Sequence, residues 1–374
     1  MEEEKKTVRI MSVGDMLMHM EIVGSGDYSA LFEHMKDTFA KADLLSLNQE
    51  TILTDHKKPS GFPVFASPTQ VGQAEIEAGF TLFTCASNHT LDQWDQGMED
   101  TFRFFEEREG VFMTGIRKRS EPFPPVIIEK NGIRIAVLAY TAPMNFHLNL
   151  PFLRYHVETL KPYRKKAISK QMKEAKKKAD ILIVFPHWGC EYLYAPTEKQ
   201  RKWAEFFAKE GADLIIGTHP HVLQPPEEII GENGGKVPVF YSLGNYVSAQ
   251  KRPGTMLGGL ADVLIEKDSR CTRIASYELV PLVASTDEEC SRFTVCPLDE
   301  YPDERSQRNK LFRIIEEDYG VITDKAYLKE LFEKILDGRA QKENPFQRPL
   351  DVSLYNAKRI LKLIGMKISK ERRR

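Results

Sequence analysis

Long apolar runs and paired cysteines are both missing from this sequence. No stretch of the 374 residues approaches the length of a transmembrane helix, and the first residues lack the apolar core of a signal peptide. The five cysteines are scattered and form no Cys-X-X-Cys pair, which argues against a zinc ribbon or a disulfide framework and favours reduced thiols. We therefore expect a soluble protein of the cytoplasm.

A strong charge imbalance and nucleotide-binding loops are missing as well. The formal net charge is -1, so the overall balance does not indicate nucleic acid or a membrane as a partner. Neither GxxxxGK[ST] nor GxGxxG occurs, which argues against a P-loop enzyme or a dinucleotide-binding enzyme. The composition, 41% hydrophobic and 29% charged, is that of an ordinary globular protein and leaves the oligomeric state open.

Strands and helices alternate along most of the chain. Predicted strands such as "TVRIMSV", "TLFTCA" and "DILIVF" are separated by segments with helical spacing, such as "SALFEHMKDTFAKA" and "TEKQRKWAEFFAKEG". This alternation predicts an α/β (α+β) fold in which helices pack on a largely parallel or mixed sheet. Asn131-Gly132 predicts a tight hairpin between "PVIIEK" and "IRIAVLAY", and a long charged helix is predicted at about 158–178.

The pattern changes near residue 258. "LADVLIEKD" and "TRIASYELVPLVAS" predict antiparallel strands, and from about residue 301 the chain is helical with polar breaks. The last predicted helix is "VSLYNAKRILKLIG". We therefore divide the chain into residues 1–285, which carry the alternating elements, and a mainly helical C-terminal extension of residues 286–374.

Six predicted strands are followed at once by polar or ionisable side chains. In open α/β sheets the carboxyl ends of the strands are where ligands bind. Carboxylate, amide oxygen and imidazole are ligands for Mn, Fe or Zn, and the lack of nearby thiolates disfavours a structural zinc site. Two such ions roughly 3.5–4 Å apart would clamp a phosphoryl-like oxygen and acidify a shared water. The residues at these strand ends are Asp15, Glu50, Asn88 with His89, His187, His219 with His221, and Asn245.

Each residue alone also has a purely structural interpretation. Asp15 could begin a turn, Glu50 could begin a helix, and His187 beside a tryptophan could be a packed core histidine. Likewise, the loop "SNHTLDQWDQG" could be a simple polar turn. The pair in "THPH" is the hardest to explain this way, and the spacing predicts both imidazoles on the same side of an extended segment that is stiffened by proline.

At these residues the sequence resembles the CapA family of poly-γ-glutamate capsule synthesis proteins, which are similar to calcineurin-like metallophosphoesterases. The resemblance spans roughly residues 7–250 and includes "VGDMLM", "LNQE", "FPVFASP", "ASNHTLDQWDQG", "PHWGCEYLYAPTEKQR", "GADLIIGTHPHVLQP" and "YSLGNYV". It implies a metallophosphoesterase-like β-sandwich of mixed sheets flanked by helices, with divalent metal ions, one or two, as cofactors. The helical C-terminus lies outside the match.

The resemblance also implies a role for each site residue. Asp15 and His221 would bind a first metal, Glu50 would bridge two metals, and a second metal would be bound by Asn88, His187 and His219. A general acid would be supplied by His89, oriented by Asp92, and Asn245 would line the substrate site. Metallophosphoesterases usually begin with Asp-X-His. Here Leu17 occupies the histidine position, and His19 is the candidate replacement.

Two functions follow from this assignment. The first is a metal-dependent, phosphoesterase-like hydrolase in which a metal-bound hydroxide attacks an anionic small-molecule or polymer substrate. The alternative is a binding or assembly protein that holds an acidic polymer such as poly-γ-glutamate in the metal cleft without cleaving it.

Overall fold

The two main β-sheets of the protein face each other across one apolar core. The computed structural model describes residues 5–120, 123–142, 145, 150 and 152–340. The strands within these residues are β1 (Lys6–Met16), β2 (Leu44–Gln49), β3 (Leu82–Thr84), β4 (Phe112–Thr114), β5 (Ile116–Lys118), β6 (Val126–Lys130), β7 (Ile133–Thr141), β8 (Tyr155–Val157), β9 (Ile181–His187), β10 (Leu214–Ile216), β11 (Glu227–Ile230), β12 (Lys236–Phe240), β13 (Asn245–Val247), β14 (Leu257–Lys267), β15 (Thr272–Thr286) and β16 (Phe293–Pro297).

Helices connect most of the parallel strands. The α-helices in the described part of the chain are α1 (Met20–Ser25), α2 (Lys36–Phe39), α3 (Thr69–Glu77), α4 (Trp94–Glu106), α5 (Lys165–Lys178), α6 (Glu198–Lys209), α7 (Asp303–Arg308), α8 (Lys310–Tyr319) and α9 (Lys325–Leu336). Short 3-10 helices occur at Ser29–Met35, Pro162–Arg164 and Leu298–Glu300.

Both main sheets are mixed. The first has the order β16-β15-β14-β1-β2-β3-β4, with β13 also pairing with β1. β1 to β4 and β13 pair in parallel, whereas β14, β15 and β16 pair antiparallel with their neighbours. The second sheet has the order β11-β12-β10-β9-β7-β6, with a parallel centre and two antiparallel outer strands. The predicted α/β sandwich of mixed sheets is confirmed.

The central strand β9 shows how the sandwich is stabilised on both faces. Ile181 and Ile183 belong to the core between the two sheets, whereas Leu182 and Val184 belong to a second apolar cluster on the other face. Side chains alternate between the faces of a strand, so a strand buried on both faces needs apolar residues at every position. The second cluster includes Ile168 of α5 and other buried residues of α6. These helices therefore flank the second sheet.

Several local predictions are confirmed, and two helix predictions are corrected. Asn131 and Gly132 have φ values of 49° and 72°, as a tight hairpin turn between β6 and β7 requires. The helix predicted at 158–178 begins only at Lys165, because Pro162 restricts the preceding residue to extended backbone and starts a short 3-10 helix instead. The helix predicted in "SALFEHMKDTFAKA" is mostly the 3-10 helix Ser29–Met35, followed by the single turn α2.

The C-terminal part combines one strand with three helices. β14 and β15 pair antiparallel as predicted, and β16 pairs with β15 at the edge of the first sheet. The division of the chain at residue 285 remains a prediction, and "VSLYNAKRILKLIG" lies outside the described residues. Within the part of the chain that the structure describes, every helix is too short or too polar to cross a membrane.

The parallel strands of both sheets end at one side of the sandwich, which we call the carboxyl edge. β1 is held there at Gly14, where an added Cβ would lie 2.0 Å from the carbonyl oxygen of Gly244. Only glycine permits this approach. The next residue, Asp15, donates its N–H to that same oxygen at 2.9 Å. The close contact fixes the Asp15 carboxylate at the point where the two sheets meet.

A buried carboxyl group far from any charged partner makes stability depend on pH. Glu75 of α3 is fully buried, and its carboxylate oxygens have no hydrogen-bond partner among the described residues. Burial raises the pKa of Glu75 well above its ordinary value of 4.5. The folded protein therefore keeps a proton that the unfolded chain releases, and the free energy of unfolding falls as pH rises above about 4.5. The slope reaches about 1.4 kcal/mol per pH unit.

We expect Glu75→Met to remove this pH dependence. The variant should raise the free energy of unfolding at pH 8 by about 1–3 kcal/mol, because an apolar side chain has no desolvation cost there. Urea unfolding at pH 5 and pH 8 measures the effect. Glu77→Met, on the exposed side of the same helix, is the matched control. Equal pH slopes in the wild type and Glu75→Met would contradict the interpretation.

Candidate metal centre

Three buried side chains from both sheets converge at the carboxyl edge. Glu50 directly follows β2, and His219 and His221 lie in the loop after β10. One ligand atom from each of the three lies within 4.8 Å of the others. Because β2 belongs to the first sheet and β10 to the second, this cluster joins the two halves of the sandwich.

The segment that carries the two histidines is bent rather than extended, so that part of the sequence prediction is wrong. φ is 99° at His219 and 60° at His221, in the region that residues with side chains rarely adopt. The N–H of His219 donates to Oδ2 of Asp15 at 3.1 Å, which fixes the bend against β1. Backbone strain of this kind concentrates at functional sites. It leaves the two imidazole rings 5.7 Å apart.

Asp15 is oriented by neighbours on both sides. Its Oδ1 accepts a hydrogen bond from Nδ2 of Asn48 at 2.7 Å, and its Oδ2 lies 3.3 Å from Nδ1 of His221. Asn245 places its Oδ1 3.0 Å from the same His221 nitrogen, while its Nδ2 donates to Oγ of Ser248 at 2.9 Å. The buried Asn245 amide is therefore occupied by protein groups and holds the His221 ring.

A second pair of candidate ligands lies beside the cluster. Nε2 of His187 and Oδ1 of Asn88 are 2.8 Å apart, and Nε2 of His187 lies 3.8 Å from Oε1 of Glu50. The other ring nitrogen of His187 is 2.9 Å from the hydroxyl of Thr218. That contact fixes the ring so that Nε2 faces Asn88 and Glu50.

His89 is paired with a carboxylate on its own loop. Its Nδ1 lies 2.7 Å from Oδ2 of Asp92, and both side chains are buried. The backbone N–H of Phe65 donates to the same oxygen at 2.7 Å, and the Phe65 ring packs edge-on against His89 at 4.7 Å. The Nδ2 of Asn145 lies 3.3 Å from the remaining nitrogen, Nε2 of His89. These contacts leave His89 with one fixed ring orientation.

Burial and mutual charge set the protonation of the cluster. Burial lowers the pKa of His187 and of His219 well below the ordinary value, and the neighbouring histidines lower both further. Burial raises the pKa of Glu50, as does the negative charge of Asp15. Burial opposes protonation of His221, but Glu50 and Asp15 outweigh it and raise the pKa of His221 to about 10. The pocket therefore has neutral imidazoles at His187 and His219, the form that binds metal, beside closely spaced carboxyl groups.

These residues fit a divalent cation. Both carboxylate oxygens of Glu50 and Nδ1 of His219 are buried without a hydrogen-bond partner among the described residues, although buried polar atoms almost always have one. The surrounding donors are carboxylate, amide oxygen and imidazole, a set suited to Mn, Fe or Zn. A cation here would satisfy the orphaned atoms and neutralise the adjacent carboxylates.

His19, the candidate replacement for the missing Asp-X-His ligand, lies outside the three-residue cluster. It caps α1, and its Nδ1 lies 3.1 Å from the carbonyl of Leu17 and 3.3 Å from the N–H of Ala249. Its ring packs on Phe65 at 5.5 Å. Burial lowers the pKa of His19 to about 4, so the ring is neutral at physiological pH.

Two residues at the site were not among the predicted site residues. Asn48, which orients Asp15, lies two positions before Glu50 in a strand end that was itself recognised. Asn145, which contacts His89, follows β7, a strand that the sequence assigned only to a hairpin. Because β7 also pairs in parallel with β9, its carboxyl end reaches the same edge. Applying the strand-end rule to β7 would have found Asn145.

Comparisons with known proteins identify the family. The family model for the bacterial capsule synthesis protein PGA_cap matches residues 9–250. The capsule biosynthesis protein CapA of Bacillus anthracis is 30% identical over 75% of this chain and 68% of its own. The PGA biosynthesis protein CapA of Bacillus subtilis (strain 168) is 28% identical over 74% of this chain and 73% of its own.

Solved structures show only a distant likeness. The calcineurin-like phosphoesterase YfkN from Bacillus subtilis has a TM-score of 0.44 at 15% identity, covering 88% of this chain and 100% of that one. A hypothetical protein from Thermus thermophilus has a TM-score of 0.45 at 14% identity, covering 73% and 98%. The resemblance inferred from the motifs is confirmed by the family match, and the chain belongs to the PGA_cap family of bacterial capsule synthesis proteins.

Proposed function

We propose that this protein is a divalent-metal-dependent hydrolase of the phosphoesterase type, acting on an anionic ester or polymer. The observation that carries the proposal is the position of the His89–Asp92 pair. It lies on the same loop as Asn88, beside a buried Glu50 whose two carboxylate oxygens have no partner among the described residues. A proton donor next to a cation-shaped cluster is what ester hydrolysis requires.

The metal would be held by the predicted ligands, which are Asp15, Glu50, Asn88, His187, His219 and His221. When bound, one or two ions of Mn, Fe or Zn would supply electrophilic assistance to an anionic oxygen and acidify water. Asn48 and Asn245 would act as positioning residues for Asp15 and His221, respectively.

His89 would donate a proton to the leaving oxygen. Asp92 accepts the Nδ1–H of His89, which favours the imidazolium form and leaves Nε2 as the atom that gives up the proton. Asp92 is itself held by the N–H of Phe65, so the imidazole and its carboxylate keep their relative orientation. Asn145 would touch the same ring nitrogen until substrate replaces it.

The second candidate function is retention of an acidic polymer without cleavage. It is favoured by family membership, since the similar Bacillus proteins are described as capsule and PGA biosynthesis proteins. In that case the metal would neutralise carboxylates of the polymer, and the proton donor would not be needed.

One experiment separates the two functions. Protein reconstituted with Mn²⁺ is incubated with a panel of phosphate mono- and diesters and with poly-γ-glutamate, and released phosphate, alcohol and polymer length are measured. The hydrolase should turn over at least one substrate, and EDTA should stop it. Tight polymer binding with full metal loading and no turnover on any substrate would replace the first function by the second.

A further inference from the structure

A small two-stranded ribbon leaves the carboxyl edge beside the metal centre. β5 and β8 pair antiparallel, and Gly115, just before β5, is packed so closely on Ala86 that an added Cβ would lie 2.4 Å from the Ala86 nitrogen. Ala86 is two residues before Asn88. On the second strand, the N–H of Thr141 donates to the carbonyl of Glu158 at 2.8 Å, and Thr141 is the register partner of His187. Both ends of the ribbon therefore start within a few residues of candidate ligands.

One side of this ribbon is rich in cations, and we call it the basic face; it consists of Arg117, Arg119, His156 and Arg164. Arg117 and His156 are directly opposite each other in the ribbon, so their side chains share one side. Arg119 is two residues beyond Arg117 and continues that side. Arg164 joins from the 3-10 helix Pro162–Arg164.

The basic face has more positive than negative charge. Glu158 is its one carboxylate among the described residues, and it accepts from Nε of Arg117 at 2.9 Å and from Nη2 of Arg164 at 2.6 Å. Arg119 donates to the carbonyls of Leu153 and Leu150 and meets no carboxylate within the described ranges. Three guanidinium groups thus share one buried carboxylate.

Two donors of the basic face are left without partners. Nε2 of His156 and Nε of Arg164 are both buried and make no hydrogen bond to any described residue. Burial lowers the pKa of His156 to about 4, and the charges of Arg119, Arg117 and Arg164 lower it further. The imidazole thus reports a positive potential at the point where the donors are unsatisfied. An anion at this point would satisfy both.

We propose that the basic face is a second anion subsite, which binds a carboxylate or phosphate group of the same substrate whose reacting part lies at the metal centre. Planar guanidinium groups recognise such oxyanions through paired hydrogen bonds. The assignment as a substrate subsite rests on the proposed function. It favours a substrate with anionic groups some distance apart, such as an acidic chain, over a small monoester.

The test measures anion binding separately from catalysis. Protein freed of metal with EDTA is titrated calorimetrically with inorganic phosphate and, separately, with short glutamate oligomers. Without metal, the carboxylates of Asp15 and Glu50 repel anions, so binding reports the basic face. The wild type should bind, and Arg119→Gln combined with His156→Gln should weaken binding at least about tenfold. A preference for phosphate or for glutamate oligomers identifies which oxyanion the subsite takes.

The controls separate this subsite from the hydrolytic function and from misfolding. Arg134→Gln removes one exposed guanidinium at the opposite end of β7 and should leave anion affinity unchanged. The single variant His156→Gln, which keeps a polar group of similar size, provides a second measurement if the double variant fails to fold. Because metal-free protein is used, absence of hydrolysis in the wild type does not affect the result. No binding by the wild type, or equal binding by folded variants, would overturn the proposal.

Discussion

His89→Ala should lower kcat about 10²–10⁴-fold on any ester that the metal-loaded protein hydrolyses, which is the range expected for loss of a general acid. The reason is the single fixed geometry of the ring, which Asp92 holds at Nδ1 so that Nε2 is free to give a proton to a leaving oxygen. Metal content should not change, because His89 is outside the cluster of Glu50, His219 and His221. Steady-state kinetics with elemental analysis of the same sample measures both quantities.

The matched control for this substitution is His56→Ala, which removes a histidine with a side chain that is 63% exposed. It should leave kcat unchanged. The loss in His89→Ala should also be smaller for substrates with good leaving groups, such as nitrophenyl esters, because they need less protonation. Full activity of metal-loaded His89→Ala on an alkyl ester would remove His89 from the mechanism.

Glu50→Gln should weaken divalent-metal binding by more than about 100-fold, since changing even a residue that only supports a ligand costs 10–100-fold. It should also make the metal-free protein more stable, because the substitution removes a buried carboxylate whose oxygens have no partner among the described residues. The two effects have opposite signs. A purely structural glutamate would show neither the gain in metal-free stability nor the loss of metal affinity.

Thermal unfolding with and without Mn²⁺ measures both effects in one series. A ligand at 100 times its Kd stabilises the folded state by about 2.7 kcal/mol, so Mn²⁺ should raise the Tm of the wild type and leave that of Glu50→Gln nearly unchanged. Glu75→Gln is the control, because Glu75 is equally buried and has no partner among the described residues, yet belongs to an apolar part of the core. It should keep the Mn²⁺ response. An equal response in Glu50→Gln would show that Glu50 is not a ligand.

Much of the site was predictable because parallel strands deliver their ends to one edge. The apolar runs before Asp15, Glu50 and His187 marked three of those strands, and the fold places all three side chains in contact distance of one another's partners. The same rule identified the loop that contains Asn88 and His89. A strand-end rule works here because sheet topology, rather than local propensity, decides which loops meet.

The local backbone was not predictable in the same way. The positive φ values of His219 and His221 depend on a hydrogen bond to Asp15, which is about 200 residues away in sequence, so no local pattern encodes them. Asn145 was missed because β7 was taken only as a hairpin strand, although it also pairs with β9. The 3-10 helix at Ser29–Met35 has helical apolar spacing, and tertiary packing decides its final form.

The most direct test of the central claim is a titration of metal-free protein with Mn²⁺ in which bound metal and ester hydrolysis are followed together. The proposed function predicts that turnover rises in proportion to bound Mn²⁺, reaches its maximum when the Glu50, His219 and His221 cluster is filled, and is lost in His221→Ala. Metal that binds in full without any turnover, or turnover that does not depend on added metal, would contradict it.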